Sequence, residues 1–454
     1  MASTYLTRTP ASAGNRKIWT WSGWIKKSKL GNVENIFTAG SSSDDGAVRY
    51  LSAGNFNLYE TNSNGTAYSF NLETNALYRD VNGWYHLVVA VDTTQATASD
   101  RVKMYVNGSQ VTFTGSAYPS QNFDTFINNN VVHQISKSIN TTYGTREFDG
   151  SMTHIHFIDG TAYDASAFGQ YDANGVWTIN VSPSVTYGNN GFFILKNGNS
   201  VTDQSGNGNN WTVAGGTLTN TEDNPSNVFC TLNSIVPQAA GVSGRDVAVS
   251  PSLDNGNTTA GEGAAVFSNQ IGTIFASSGK YYAECKFGGD QYCHFGIANP
   301  TFSYASLGAY PGASLTSGVN SAGIYGSSGE GRVNGSVIFT DSPTTSDTIC
   351  LAMDLDNNAL YIRRNDGAWM NSGNPESGAT KTGAIPLPSD TYTWIVTSHN
   401  NSGSGRNYMK VNFGNGYFGS TPVASAGTNA SGIGIFEYDV PTGYTALSTK
   451  GLNL

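Results

Sequence analysis

Charge is what this 454-residue sequence has least of: Asp, Glu, Lys and Arg together make up 12%, against about a quarter in an ordinary soluble domain. Disorder is excluded all the same, because it goes with high charge and few aromatics, and aromatics here also reach 12%. The net charge is −9, which excludes the basic stripe a nucleic-acid binder uses to neutralise phosphates. The one small basic cluster, Lys26-Lys27-Ser28-Lys29, follows an alternating stretch and reads as a solvated strand end. There is no run of 18 apolar residues, so no membrane insertion is expected. The opening residues Met1 to Leu6 lack the apolar core of a signal peptide, and the expectation is a protein made in the cytoplasm outside the standard secretory route. Cysteine is scarce: Cys230, Cys285, Cys293 and Cys350, none at the C-x₂-C spacing of a metal site. Free, partly buried thiols are the ordinary reading, with a cross-strand Cys285–Cys293 disulfide as the alternative. Heptads and repeats of fixed period are also missing, which removes the long trimeric stalk of many fibres.

What remains is glycine, 54 residues of it, with Asn, Ser and Thr between short apolar runs. Turn clusters recur every eight to twelve residues, the pattern of antiparallel β-sandwiches. Ile18 to Ile25 and Trp84 to Val91 are strands, and Arg101 to Val106 is closed by Asn107-Gly108, a strong hairpin signal. Phe148 to Gly160 is another strand, with Ile155 and Phe157 on one face and His154 and His156 on the other. Later strands include Tyr281 to Phe287, Tyr292 to Ile297, Thr348 to Asp354 and Ala359 to Arg364. The chain is therefore all-β and long enough for two or three domains, each with its own core.

Two stretches resemble known families. Trp21-Ser22-Gly23-Trp24-Ile25-Lys26, Gly83-Trp84-Tyr85-His86-Leu87, Met104-Tyr105-Val106-Asn107-Gly108 and the strand ending at Gly160 resemble laminin-G/concanavalin-A-like domains of virion proteins in tailed bacteriophages, particularly marine ones. Gly279-Lys280-Tyr281-Tyr282-Ala283-Glu284, Phe295-Gly296-Ile297-Ala298, Ile349 to Asp354 and Val411-Asn412-Phe413-Gly414 resemble the SPRY family, also a concanavalin-like sandwich. Ser205 to Trp211 and Asn224 to Asn233 look like the connector of such phage proteins, and Pro441 to Leu447 like their ending. The expected organisation is a laminin-G-like sandwich over 1–175, a connector over 176–244 partly packed on it, a SPRY-like sandwich over 245–438 and a tail over 439–454.

No site of strong chemistry stands out. Concanavalin-like glucanases carry alternating acids on one strand, and a retaining pair needs carboxylates about 5–5.5 Å apart. No E-x-D-x-E run exists, and Glu330 and Asp44-Asp45 sit in Gly/Ser loops without a partner. The chain reads as a non-enzyme with no catalytic residue. His154 and His156 share a strand face but lack a closing ligand, so sheet-face packing is expected and no metal site is assigned. Calcium occurs in some laminin-G-like folds; Asp92, Asp100 and Asp44-Asp45 are the conceivable ligands, with turn formation the competing role. Sugar binding pairs an aromatic face with loop donors, and Tyr304, Tyr310, Trp369 and Asn371 of the second domain are the candidates. Trp21, Trp24 and Trp84 lie in strands and read as core.

By resemblance, both folds are binding scaffolds. The implied role is a phage virion surface protein on the particle exterior, a tail fibre or tail-associated adhesin. Its partners would be other virion proteins and a host cell-surface glycan or protein, and homo-oligomers, trimers in fibres of this kind, are implied. Host binding is expected on the second domain and particle anchoring on the first domain and the connector. A head decoration or capsid fibre protein is the rival, and a glycan depolymerase the third.

Overall fold

The computed structural model describes residues 4–235, 252–262, 268–288, 293–302, 311–313, 318–326, 328–341, 347–398 and 407–454. Its regular structure is antiparallel strand with a few single 3₁₀ turns, and among the described residues no helix is long and apolar enough to cross a membrane. The chain divides into two units, Met1–Asn220 and Thr221–Leu454.

The first unit pairs an eight-stranded sheet with a six-stranded one. The larger runs, in spatial order, Phe113–Ala117, Ala67–Thr74, Phe56–Asn62, Asp45–Tyr50, Glu34–Gly40, Val132–Ile135, Tyr5–Arg8 and Thr212–Gly215. The smaller runs Phe192–Ile194, Gly150–Asp159, Ile18–Lys27, Tyr85–Asp92, Val102–Val106 and Ser109–Gln110. Alternation decides what lies between them. Trp19, Trp21 and Ile25 meet Leu87, Val89 and Phe157 on the inner face of the smaller sheet, and Phe37, Val48, Leu58 and Phe70 on that of the larger. The outer face of the smaller sheet is covered as well. There Val88 and Ile158 pack under Ala165 and Phe168, beside a hairpin of Gly169–Tyr171 and Trp177–Ile179. The expected Asn107-Gly108 turn forms, with φ of 48° and 82°. A Cβ on Gly108 would lie 2.4 Å from the Trp177 ring, so the hairpin closes this tightly only with glycine.

The basic cluster is not a solvated strand end. Lys26 and Lys27 are buried, and Lys27 Nζ pairs with Glu34 at 2.9 Å and lies 4.1 Å from the centre of the Tyr50 ring. The register explains it: Glu34 pairs with Tyr50 at the end of the larger sheet, and the last residues of Ile18–Lys27 close over that end.

The second unit repeats the two-sheet plan. Seven strands run Ser252–Asp254, Thr259–Glu262, Asn407–Asn412, Lys280–Gly288, Thr348–Asp354, Ala359–Arg364 and Ile385–Pro386. Six run Ser268–Ile271, Thr393–Ser398, His294–Ala298, Ser321–Tyr325, Glu330–Val333 and Ser336–Thr340. Cys285, Leu351 and Met353 face Phe295, Ile297, Ile324 and Trp394 in one core. All four cysteines are free and buried; Cys285 belongs to the larger sheet, and Cys293 directly precedes a strand of the smaller one.

The connector and tail expected from sequence are redistributed. Phe192–Ile194 pairs with Gly150–Asp159, and Thr212–Gly215 with Tyr5–Arg8, which makes 176–220 integral to the first unit. Phe229, Cys230 and Leu232 are core residues of the second unit, as are Phe436, Tyr444, Ala446 and Leu447. Full burial of a large apolar side chain contributes about 2 kcal/mol, which holds these end segments on the sheets.

Candidate functional site

Of the four residues expected to bind ligand, Tyr304 and Tyr310 lie outside the described residues. Trp369 and Asn371 sit together in the loop after Ala359–Arg364. Trp369 is half-buried; it bridges to the Arg363 backbone, and its ring lies 5.0 Å from the guanidinium. Tyr282 and Tyr438 flank the same guanidinium, and Arg363 Nη2 donates to the Tyr282 hydroxyl at 3.2 Å. Asn371 is exposed at φ 57° and donates to the Gly383 carbonyl at 3.2 Å. Beside this box Glu284 is fully buried. Its carboxylate accepts from the Glu437 and Tyr438 amides at 2.8 Å each, from Asn412 Nδ2 at 3.1 Å and from the Tyr282 hydroxyl at 3.2 Å. Burial pushes its pKa up to about 7, and the amides hold it down. The whole cluster clamps the segment 435–447 onto the sheet.

A second polar face belongs to the first unit, and sequence reading missed it. It is the outer face of the eight-stranded sheet. Register places Asn35, Arg49, Asn57 and Glu73 in one row across four strands, and Thr38, Ala47, Tyr59 and Asn71 in the next. Thr61 and Tyr68 pair in a third row. Tyr68 arrives there by a bulge: Glu60 pairs with Phe70 but Thr61 with Tyr68, so one extra residue rotates Tyr68 away from the core side.

Hydrogen bonds tie these rows together. Arg49 Nε donates to Asn57 Oδ1 at 2.6 Å, and Asn57 Nδ2 to Asn71 Oδ1 at 2.8 Å. Asn71 Nδ2 reaches Glu73 Oε1 at 3.3 Å. The Arg49 guanidinium lies 3.8 Å from the centre of the Tyr59 ring, whose hydroxyl donates to Asp45 Oδ2 at 2.8 Å. Asp45 is also approached by Thr61 and Asn140, and burial raises its pKa. Around residue 140 the chain turns over the Asp45 end of the face, where Asn140 Nδ2 donates to the Ser43 carbonyl at 2.8 Å. At the open side Tyr68 is 53% exposed, Ser69, Asn71 and Glu73 are partly exposed, and Arg49 Nη2 touches the Tyr68 hydroxyl at 3.5 Å. Polar alternation along 45–49 and 57–61 was a readable signal for this face; the bulge was not.

The histidines fill space. Trp177 Nε1 donates to His86 Nδ1 at 3.0 Å, so His86 carries its proton on Nε2 and donates it to Ser22 Oγ at 2.9 Å. The ring is stacked between Trp24 and Trp177, and burial drives its pKa to about 3. His154 and His156 both pack on Phe193, and His156 Nδ1 lies 2.9 Å from the Tyr187 hydroxyl. Among the described residues no three His, Cys, Asp or Glu side chains come together as a metal group. The aspartates weighed for calcium have other contacts: Asp92 accepts from the Thr94 amide at 3.0 Å, Asp44 from the Gly65 amide at 2.9 Å, and Asp100 pairs with Lys103 at 3.3 Å. Glu330 opens a strand and accepts from Arg332 Nε at 2.8 Å. Trp21, Trp24 and Trp84 are all buried.

Residues 2–166 match the laminin-G type of the concanavalin A-like lectin/glucanases superfamily. No curated protein matches the chain. Solved structures similar to it include the SPRY domain of human HERC1, at 15% identity over 36% of this chain and 91% of that one, TM-score 0.27. A putative carbohydrate-binding protein of Bacteroides ovatus is similar at 15% identity over 48% of this chain and 59% of that one, TM-score 0.29. The LG1–3 region of the laminin α2 chain is similar at 9% identity over 88% of this chain and 60% of that one, TM-score 0.31.

Proposed function

We propose that this chain is a phage virion surface protein, a tail fibre or tail-associated adhesin, that binds a host-surface glycan through the outer face of the eight-stranded sheet. The observation that carries the reading is Tyr68: an aromatic ring more than half exposed, near a hydrogen-bonded chain of Arg49, Asn57 and Asn71 that crosses two rows. Sugar rings stack on an aromatic face and exchange hydroxyl hydrogen bonds with just such neighbours. The lectin superfamily match over 2–166 supports putting the sugar face in this unit. The host-binding surface is thereby assigned to the first unit, the reverse of the sequence expectation. Trp369 is given a supporting role over Arg363.

The reading requires neither hydrolysis nor a metal. Asp45 and Glu73 are the two carboxylates on the face. Glu73 lies at the level of Arg49, four residues along the strand from Asp45. Along the strand alone that is about 13 Å, with two strand spacings of about 4.8 Å each added across the sheet, beyond the roughly 9.5 Å limit for an inverting pair. The virion location, the homo-oligomer and the other virion proteins as partners rest on the sequence resemblance.

The test is retention of the full-length protein on an immobilised panel of bacterial surface oligosaccharides, with and without Tyr68→Ala. Binding that Tyr68→Ala weakens supports the reading. Binding to no sugar, or binding that the change leaves intact, removes it.

A further inference from the structure

Lys27 and Glu34 form a buried pair that the glycan face does not use. Nζ lies 2.9 Å from Oε2, and the two side chains are 2% and 1% exposed. The contact is short without being aligned as a hydrogen bond: among the described residues neither Nζ nor Oε1 has a hydrogen-bond partner. Taking an ammonium and a carboxylate out of water is costly, and a stable buried pair offsets that cost with aligned bonds on its remaining positions. Those bonds are missing here. The Tyr50 ring stands 4.1 Å from Nζ and closes the corner against water, and its own hydroxyl is buried without a partner.

Three strands hold the two groups at this spacing. Lys27 ends its strand opposite Gly150, and the Ser28 amide donates to the Asp149 carbonyl at 2.9 Å. Glu34 opens its strand opposite Tyr50. The Asp149 amide donates to Glu34 Oε2 at 3.3 Å. A nitrogen is thus fixed against a carboxyl group that has one oxygen polarised by an N–H donor and the other unheld. Burial is the main influence on both groups. It lowers the pKa of Lys27 and raises that of Glu34, each opposed in part by the charge of the other. Both shifts run toward the free amine and the carboxylic acid, which are the reacting forms.

We propose that Lys27 and Glu34 join in an intramolecular amide, a covalent cross-link between the two sheets of the first unit that the folded chain forms by itself. A proton first passes from Nζ to Oε1. The Nζ lone pair then attacks Cδ, forming the N–C bond and moving the carbonyl pair onto Oε2, where the Asp149 amide meets the developing charge. A second proton passes from nitrogen to Oε1, the pair on Oε2 re-forms the carbonyl, the Cδ–Oε1 bond breaks and water leaves. One amine and one acid become one amide and one water, and no oxidant or co-reactant enters. Fixed proximity replaces a bimolecular encounter, and a site closed to water resists the reverse reaction. A tie of this kind is otherwise missing from the first unit, because all four cysteines lie beyond residue 220.

The proposal is independent of the glycan reading, and its test is the mass of the full-length protein under denaturing conditions. The expected mass is lower than that of the sequence by one water, about 18 Da. Trypsin should leave Lys27 uncut and release residues 27–29 joined to 30–49, lighter by the same water. Lys27→Arg keeps the charge and the fold but brings a guanidinium in place of the reactive amine, so that variant should show the full mass of its sequence. Lys27→Met, which removes the charge as well, should do the same. A full sequence mass in the unchanged protein overturns the proposal. So does a water loss that persists in Lys27→Arg, or one that maps to another residue, such as an aspartate closed onto its own backbone.

Discussion

Two buried polar centres, one in each unit, stand on the outer face of a large sheet, and they differ in how completely they are satisfied. Around Glu284, four donors meet four acceptor positions, and the segment 435–447 supplies two of them from its own backbone. Arg363 Nε and, in the clamped segment, Thr445 Oγ1 are left without a partner there. Around Arg49, no carboxylate among the described residues is within ion-pair distance, Asp45 acting on it only through a longer-range attraction, and both ends of the nearby Asn35 amide are without a partner. The first arrangement is a clamp that the chain completes by itself. The second keeps hydrogen-bonding capacity that the chain does not use. Burial and polarity alone do not separate a structural centre from a binding one; leftover hydrogen-bonding capacity does.

The sharpest way to break the comparison is to remove Glu284. In Glu284→Ala two amides, an asparagine and a tyrosine lose their acceptor at once. The second unit should lose about 3 kcal/mol or more, read as a lower denaturant midpoint for probes in that unit, while the first unit and sugar binding hold. An unchanged midpoint would mean the clamp is ornamental.

Next in size is Tyr68→Ala, expected to cost about 2 kcal/mol in binding, roughly thirty-fold per site, partly masked in multivalent display. Because the ring is half in solvent, the melting temperature should barely move. Trp369→Ala should do the opposite. It uncovers Arg363 and lowers the stability of the second unit by about 1–2 kcal/mol, with glycan affinity unchanged. Loss of binding in Trp369→Ala without loss of stability would return the sugar site to the second unit.

Smaller, and opposite in sign between the units, is the response to pH. In the first unit burial lowers the pKa of His86 to about 3 and of His133 and His154 to about 4, and lowers His156 too. Against an unfolded value near 6.5, these groups make the unfolded state the better proton binder, so stability is present above that pH and is lost as pH falls below it. Glu60, raised to about 8, together with Asp45 and Glu34, pulls the other way, but four imidazoles outnumber three carboxyls. The first unit should therefore lose on the order of 1 kcal/mol per pH unit between about 6 and 5. In the second unit Glu284 has its folded pKa raised, so the folded state is the better proton binder and stability rises slightly from pH 7 to 5. Hydrogen exchange followed separately in each unit would show the two slopes, and parallel slopes would contradict the assignment.

Much of the fold could be read from residues. Asn107-Gly108 announced its turn because only residues tolerant of positive φ close a two-residue hairpin. Alternation in Ile18 to Ile25 put Trp19 and Trp21 between the sheets and Trp24 on the other face, where it is buried against His86. The domain edges were less legible: the short Phe192–Ile194 and the turn-rich 439–454 look like linker and tail, and only pairing and packing across long sequence separations show them to be integral. Lys27 was misread for a similar reason, since its partner Glu34 lies across a chain reversal. The candidate site was the least legible. Tyr68 sits in the alternation of a core residue, and a bulge of one residue, invisible in composition or spacing, turns it outward. Arg49 looks like any surface arginine until the register puts Asn35 next to it.

The central claim, that sugar is held on the first unit around Tyr68 and Arg49, is tested most directly by hydrogen–deuterium exchange on the full-length protein. Exchange is compared alone and saturated with the tightest-binding oligosaccharide of the panel. The account predicts slowed exchange in the strands Asp45–Tyr50, Phe56–Asn62 and Ala67–Thr74, with the second unit unaffected. Protection confined to the second unit, around Arg363 and Trp369, would contradict it.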